Sequence, residues 1–255
     1  MRITVSDSNI TEWELKEDIA VLKLNNPPQN QIIEPDFITI DEIKKNINNK
    51  IKGLIITGEG RHFSAGADKE KLFEMANKES MLKNKIKSGM SLLNYIENLE
   101  IPTISSINGI CFGGGLEIAL STHIRVCSKT SLLAFPEVDL NLIPGLNGII
   151  RLQKITGTAK TLAMVLSGEI INAEKAYDLG FIDYLIEKNA TLDYSLNLMN
   201  KMTANRPINV INSVVRSLKN ARTMKLKYAM QEEIKMFTRL AVTEAKRIRE
   251  EENRK

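Results

Sequence analysis

Residues 107–120 read INGICFGGGLEIAL: an Asn-Gly turn signal, three consecutive glycines, then an apolar run carrying one acid, Glu117. Glycine loses more backbone freedom on folding than any other residue, so a triplet is expected where a side chain would obstruct something approaching the main chain. A helix that begins near Gly114 or Gly115 leaves its first amides without intrahelical partners, at the positive end of the helix dipole. Such amides suit a phosphate or a developing oxyanion. Phosphate loops usually place Lys and Ser or Thr directly after the glycines, whereas Leu116 and Glu117 follow here. A carboxylate beside a phosphate would repel it, so an uncharged acceptor, a thioester or ester carbonyl, is the better match. Glu117 stands three residues after Gly114 and so shares its helix face. The plain alternative is an acid in a first helical turn, where the dipole favours it.

Outward from this stretch the chain alternates strand and helix. EWELK and IAVLKLNN predict a hairpin over about 12–17 and 19–25, closed by Pro27-Pro28, with a helix following over about 35–49. KGLIITGEG reads as a buried strand, and FSAGAD (63–68) is a loop entering a helix. A further helix is expected over about 78–99, a buried strand in IPTISSING, and a helix over about 115–121. Short strands near 124–127 and 132–135 are followed by helices over about 144–156, in TAKTLAMVLSG and in INAEKAYDLG, and by a strand in FIDYLIE. This is the pattern of an α/β domain with a mostly parallel sheet. From about residue 192 only amphipathic helical stretches remain, a candidate packing or oligomerisation element. The expected division is 1–191 and 192–255.

Composition narrows the class. A chain of 255 residues with 43% apolar content can bury a substantial core. A net charge of +4, with basic residues scattered among acidic ones, does not point to nucleic acid. The N-terminal MRITVSDSNITEWELKED has no apolar core of leader length, and no 18 apolar residues run together. A cytoplasmic protein with no membrane partner is expected. Cys111 and Cys127, without metal-type spacing, read as two reduced, mostly buried thiols.

Two further positions carry candidate chemistry. FSAGAD could present one more free amide, from Ala67 after Gly66, or could be a plain helix start with Asp68 as its cap. Glu137, in LLAFPEVDLNLIPG, follows Pro136 at the end of an apolar run, and is either an exposed turn acid or a buried functional one. Were Glu117 and Glu137 to converge, they could not both ionise freely, and one would hold a proton near neutral pH.

FSAGAD, NGICFGGGLEIAL, AFPEVDLNLIPG with GIIRL, and SGEIINAEKAYDLGFID resemble, in order, the motifs of the crotonase superfamily, the enoyl-CoA hydratases and isomerases. The resemblance runs from about residue 11 to about 190 and implies a crotonase-like spiral of ββα units with a C-terminal helical oligomerisation region, assembling as homotrimers or dimers of trimers. It implies an acyl-CoA or pantetheine-linked acyl substrate, no cofactor beyond coenzyme A as part of that substrate, and no metal. The oxyanion-hole amides would be those of Ala67 and Gly114. Ala65, Gly66, Asp68, Gly113, Pro136, Leu142 and Gly145 would be substrate-binding. Two acids, Glu117 and Glu137, imply a hydratase that adds water syn across a trans-2-enoyl thioester. The alternatives are an isomerase, a decarboxylase or a dehydratase on a carrier-bound acyl group, all sharing the hole, and a non-catalytic scaffold subunit. Where hydratases commonly have small glycine-rich sequence after the second acid, LNLIPGLNG carries Asn141, Leu142, Leu146 and Asn147. The family's C-terminal element for the adenine of CoA is not recognisable in LAVTEAKRIREEENRK.

Overall fold

The computed structural model describes residues 3–5, by backbone alone, and 10–254. Residues 1–2, 6–9 and 255, which include part of the N-terminal stretch read above and the outer limits of the two expected regions, lie outside the described residues. The strands are β1 (Ile3–Val5), β2 (Thr11–Lys16), β3 (Ile19–Leu24), β4 (Gly53–Gly58), β5 (Thr103–Ile107), β6 (Ile110–Phe112), β7 (Ile124–Ser128), β8 (Leu132–Ala134), β9 (Ile171–Asn172) and β10 (Tyr184–Ile186). The helices are α1 (Ile40–Asn46), α2 (Lys69–Ala76), α3 (Glu79–Glu97), α4 (Gly114–Leu120), α5 (Gly148–Thr156), α6 (Thr158–Ser167), α7 (Ala173–Leu179), α8 (Thr191–Thr203), α9 (Ile208–Thr223) and α10 (Leu226–Glu252).

The larger sheet has the order β1-β2-β3-β4-β5-β7-β10, antiparallel as far as β3 and parallel from there on. Its middle strands are buried on both faces, which is why they read as continuous apolar runs rather than alternating ones. Register places Val21 beside Ile55 and Ile55 beside Ile104 on one face, with Leu22 beside Ile56 on the other. The second face belongs to the main core with Phe37, Phe63, Leu93, Ile96 and Leu116. The first is covered by α8, whose Met199 is fully buried. Gly53 makes room for that helix: a methyl there would lie 2.3 Å from the Met199 sulfur.

After β5, and again after β7, the chain makes a second short strand in a smaller sheet of order β6-β8-β9, and β6 then leads directly into α4. This strand, strand, helix step is the repeating ββα unit of a crotonase-like spiral, with a helical C-terminal region after it. Bridges from Ser64 to Cys111 and from Ile32 to Ala67 extend the second layer toward the FSAGAD loop.

The structure adjusts several sequence expectations. The helix expected over 35–49 is confined to Ile40–Asn46, because Thr39 caps it by accepting from Glu42 N and residues before it turn Phe37 and Ile38 into the core. The helix expected from 144 begins at Gly148, because residues 145–147 bend to present amides to Glu117. β6 was hidden between a turn and a glycine run, too short to show a period, and Glu137 lies not at a strand end but in a 3₁₀ turn, Pro136–Leu140. Cys111 and Cys127 are buried and unpaired. Among the described residues no helix is long and apolar enough to cross a membrane.

Candidate active site

The two glycine loops meet because the second layer stitches them together. Phe63 N and Ser64 N both donate to Ile110 O at 3.1 Å, and Phe112 N donates back to Ser64 O at 3.0 Å. Gly66, at φ +87°, adopts a backbone that other residues rarely take, and a methyl on it would lie 2.7 Å from Phe112 O and 3.3 Å from Gly114 N. Ile32 donates to Gly66 O and accepts from Asp68 N, so the intervening Ala67 N–H is turned away from that bridge, toward Gly114. A methyl on Gly114 would lie 3.9 Å from Ala67 N. Gly114 is also the first residue of α4, so its own N–H has no intrahelical partner. Two backbone donors from separate loops thus stand side by side with no side chain between them, a geometry suited to one carbonyl oxygen.

The neighbouring residues hold this pair in place. Ala65 N donates to Gln29 O at 2.9 Å, and Gly66 N donates to Ser64 Oγ at 3.1 Å. The Asp68 carboxylate accepts from Lys71 N and caps α2, so its side chain is used by the fold. Gly113, at φ +50°, has its N–H on Ala134 O. Asn30 is 1% exposed and gives its side-chain N–H groups to Glu59 O and His62 O, while its main-chain carbonyl accepts from Ser64 Oγ. It ties residues 24–32, the turn around Pro27-Pro28, to the FSAGAD loop, and an asparagine in a Pro-flanked turn is its signal in the sequence.

Both acids reach this place. Glu117, in the first turn of α4, is 2% exposed. Its Oε1 accepts from Leu146 N at 2.6 Å and from Gly148 N at 2.8 Å. Burial pushes its carboxyl up to about 7, against the opposing pull of the Gly148 and Leu146 amides and the Arg151 charge. Glu137 lies against Gly113, where a methyl would be 2.7 Å from its Oε1, and its Oε2 is buried with no hydrogen-bond partner among the described residues. It too is pushed up to about 7, by burial first and then by the charge of Glu117. The charge of Glu117 on Glu137 brings together the two acids considered from sequence, both with carboxyls raised toward neutrality.

The bulkier residues after Glu137 are accommodated by the backbone and by the core. Asn141 and Asn147 take φ values of +58° and +70°, the left-handed region that asparagine tolerates best after glycine. Leu146 is 5% exposed and turns toward α3, where Gly89 admits it: a methyl on Gly89 would lie 2.9 Å from Leu146 Cδ2. Leu142 donates its N–H to Glu137 O and is half-exposed, while Gly145 lies beside Ile86 of α3. Pro136 starts the 3₁₀ turn that carries Glu137. Among the described residues no group of three His, Cys, Asp or Glu is placed to hold a metal ion.

The fold, a spiral of ββα units that sets paired backbone donors beside a buried and a half-buried carboxyl, is that of the crotonase superfamily. The model of the family described as enoyl-CoA hydratase/isomerase matches residues 14–254, and the chain belongs to that family. A probable enoyl-CoA hydratase from Bacillus subtilis is 38% identical over 179 residues, covering 68% of this chain and 68% of that protein. The alpha subunit of the fatty acid oxidation complex of Shewanella frigidimarina is 36% identical over 72% of this chain, which spans only 27% of that longer protein. Among solved structures, an enoyl-CoA hydratase subunit I from Geobacillus kaustophilus superposes with a TM-score of 0.82 at 25% identity, covering 96% of this chain and 93% of its own.

Proposed function

We propose that the protein is an enoyl-CoA hydratase that adds water syn across a trans-2-enoyl thioester to give the 3-hydroxyacyl thioester. The observation that carries this reading is the pairing of a buried and a half-buried carboxyl, each pushed up to about 7 by burial, with Glu137 raised further by the charge of Glu117, beside the Ala67 and Gly114 amides. Hydration needs one base and one acid at once, and a pair that shares a single proton around neutrality supplies both.

In the proposed reaction the thioester oxygen accepts from Ala67 N–H and Gly114 N–H. Ionised Glu117 takes a proton from water as the water oxygen bonds to C3. The C2=C3 electron pair moves onto C2 and the thioester, and the two amides stabilise the resulting enolate oxygen. Protonated Glu137 then gives its proton to C2. One water is consumed, both carbons are saturated, and the two glutamates have exchanged protonation states. A proton transfer between them, through the next water, restores the start.

Coenzyme A is proposed as the carrier on the strength of the relatives' names, with a pantetheine arm as the alternative. Residues 192–255 are proposed as a C-terminal trimerisation region of a cytoplasmic enzyme. The apolar Leu226, Ile234 and Phe237 on α10, 75%, 63% and 72% exposed, support that reading. Light scattering on the purified chain would test it.

The functional test is loss of the conjugated absorbance of crotonyl-CoA with the native chain, Glu117→Gln and Glu137→Gln. Turnover that falls by roughly 10²–10⁴-fold in each variant is expected. Turnover indifferent to Glu117 would refute the two-acid mechanism and leave isomerisation or decarboxylation on the same hole.

A further inference from the structure

Glu117 is held by a loop, and a buried cation holds that loop. Arg151, in the first turns of α5, is 3% exposed. Its Nη1 donates to Leu146 O at 2.7 Å, its Nη2 to Asn94 Oδ1 at 2.9 Å, and its Nε to Glu97 Oε2 at 2.9 Å. The Leu146 residue that offers its carbonyl to Arg151 offers its N–H to Glu117 Oε1, so a single residue joins the guanidinium to the carboxyl. Gly148 completes the grip from the other side, and it leaves no slack: a methyl there would lie 2.8 Å from Glu117 Cγ.

We propose that Arg151 is a positioning residue for Glu117, clamping residues 145–148 to α3 so that the Leu146 and Gly148 amides hold the carboxyl in one orientation. Three acceptors, two from α3 and one from the loop, surround one planar fork, a geometry that an ammonium group cannot satisfy in full. The same cation pulls the Glu117 carboxyl toward its ionised form, the form a base requires. The charged groups facing this cluster are Glu97 from α3, Arg222 from α9 at 3.9 Å from Glu97, and Glu137 across from Glu117. His123, also near Arg222 and Glu97, is pushed down to about 4 by burial first and stays neutral.

The kinetic part of the inference rests on the hydratase reading, so its test has a part that does not. Arg151→Lys and Glu97→Gln are made in the full chain, each alone and with Glu117→Gln. In the native background Arg151→Lys is expected to lower kcat by roughly 10–100-fold with KM changed by less than about threefold, as for loss of an interaction needed only in the transition state. In the Glu117→Gln background it is expected to cost less than about twofold more, because the group it positions is already disabled. Full additivity would overturn the proposal, since an arginine that merely closes the core harms both backgrounds alike. Should the native chain not hydrate crotonyl-CoA, the hydratase reading fails by itself and carboxyl-carbon NMR decides the positioning role. The Glu117 resonance is assigned by its loss in Glu117→Gln. A change in its shift and an upward move of its midpoint in Arg151→Gln, or a change in its shift in Arg151→Lys if the glutamine variant does not fold, are expected, and a resonance unmoved in these variants overturns the role.

Discussion

Replacing Glu117 by glutamine should stabilise the fold, and increasingly so as pH rises. The side chain keeps its shape, and the amide oxygen can still accept from Leu146 N and Gly148 N. What is lost is a buried charge. The carboxyl moves from an ordinary value of 4.5 to about 7 in the folded chain. Between those values the folded state binds more protons than the unfolded one, so stability falls as pH rises, by about 1.4 kcal/mol per pH unit for this group. Over the window the loss amounts to about 3 kcal/mol, and relief of the repulsion on Glu137 acts in the same direction. Glutamine is indifferent to pH, so the gap between variant and native should widen by about 3 kcal/mol between pH 4.5 and pH 8.5, or about 6–12 °C in Tm for a chain of this length. Urea unfolding of both proteins at several pH values measures it directly. A gap that stays constant with pH, or narrows, would show that Glu117 is not a buried, proton-holding group, whatever reaction the protein catalyses.

Other substitutions separate the hole from the fold. Gly114→Ala meets nothing closer than 3.9 Å, so its melting temperature should be near native while the methyl crowds the space between the two amides and kcat falls by roughly 10²-fold. Native activity in that variant would disprove the assignment of the hole. Gly148→Ala places a methyl 2.8 Å from both Glu117 Cγ and Phe135 Cζ and should cost about 1–3 kcal/mol by overpacking, together with most of the activity, as read by calorimetry and thioester absorbance. Arg125, 6% exposed, donates to Phe181 O and Thr122 O and pairs with Asp183 at 2.8 Å. Arg125→Met, which leaves two buried carbonyls without their donor, should therefore cost about 1–3 kcal/mol in urea with kcat of the folded fraction unchanged, and a stable variant would contradict its structural role.

Much of this molecule could be read along the chain. The runs IAVLKL, GLIITG and TISSI announce buried parallel strands because both their faces are covered, and the glycines of CFGGGLE announce a main chain that something must approach. Asp68 and Asn172 announce helix starts through their own side chains, since capping is settled within one turn. The motif order was enough to name the candidate amides and acids. Tertiary structure alone decided what those residues do to one another. Ala67 and Gly114 become a pair only because β6 is stitched to the Phe63–Ser64 turn. Glu117 and Glu137 become a coupled pair only because a 3₁₀ turn, rather than a strand end, carries the second acid to Gly113. Arg151 carries no readable role in the GIIRL motif, and Leu146 reads as bulk after the second acid; the bend at 145–148 and the gap at Gly89 show one gripping the loop and the other filling the core. Local preferences depend on a few neighbouring residues and can be read from them. Burial, charge coupling and the partner of a carbonyl depend on segments tens of residues apart, and those distances exist only once the chain has folded.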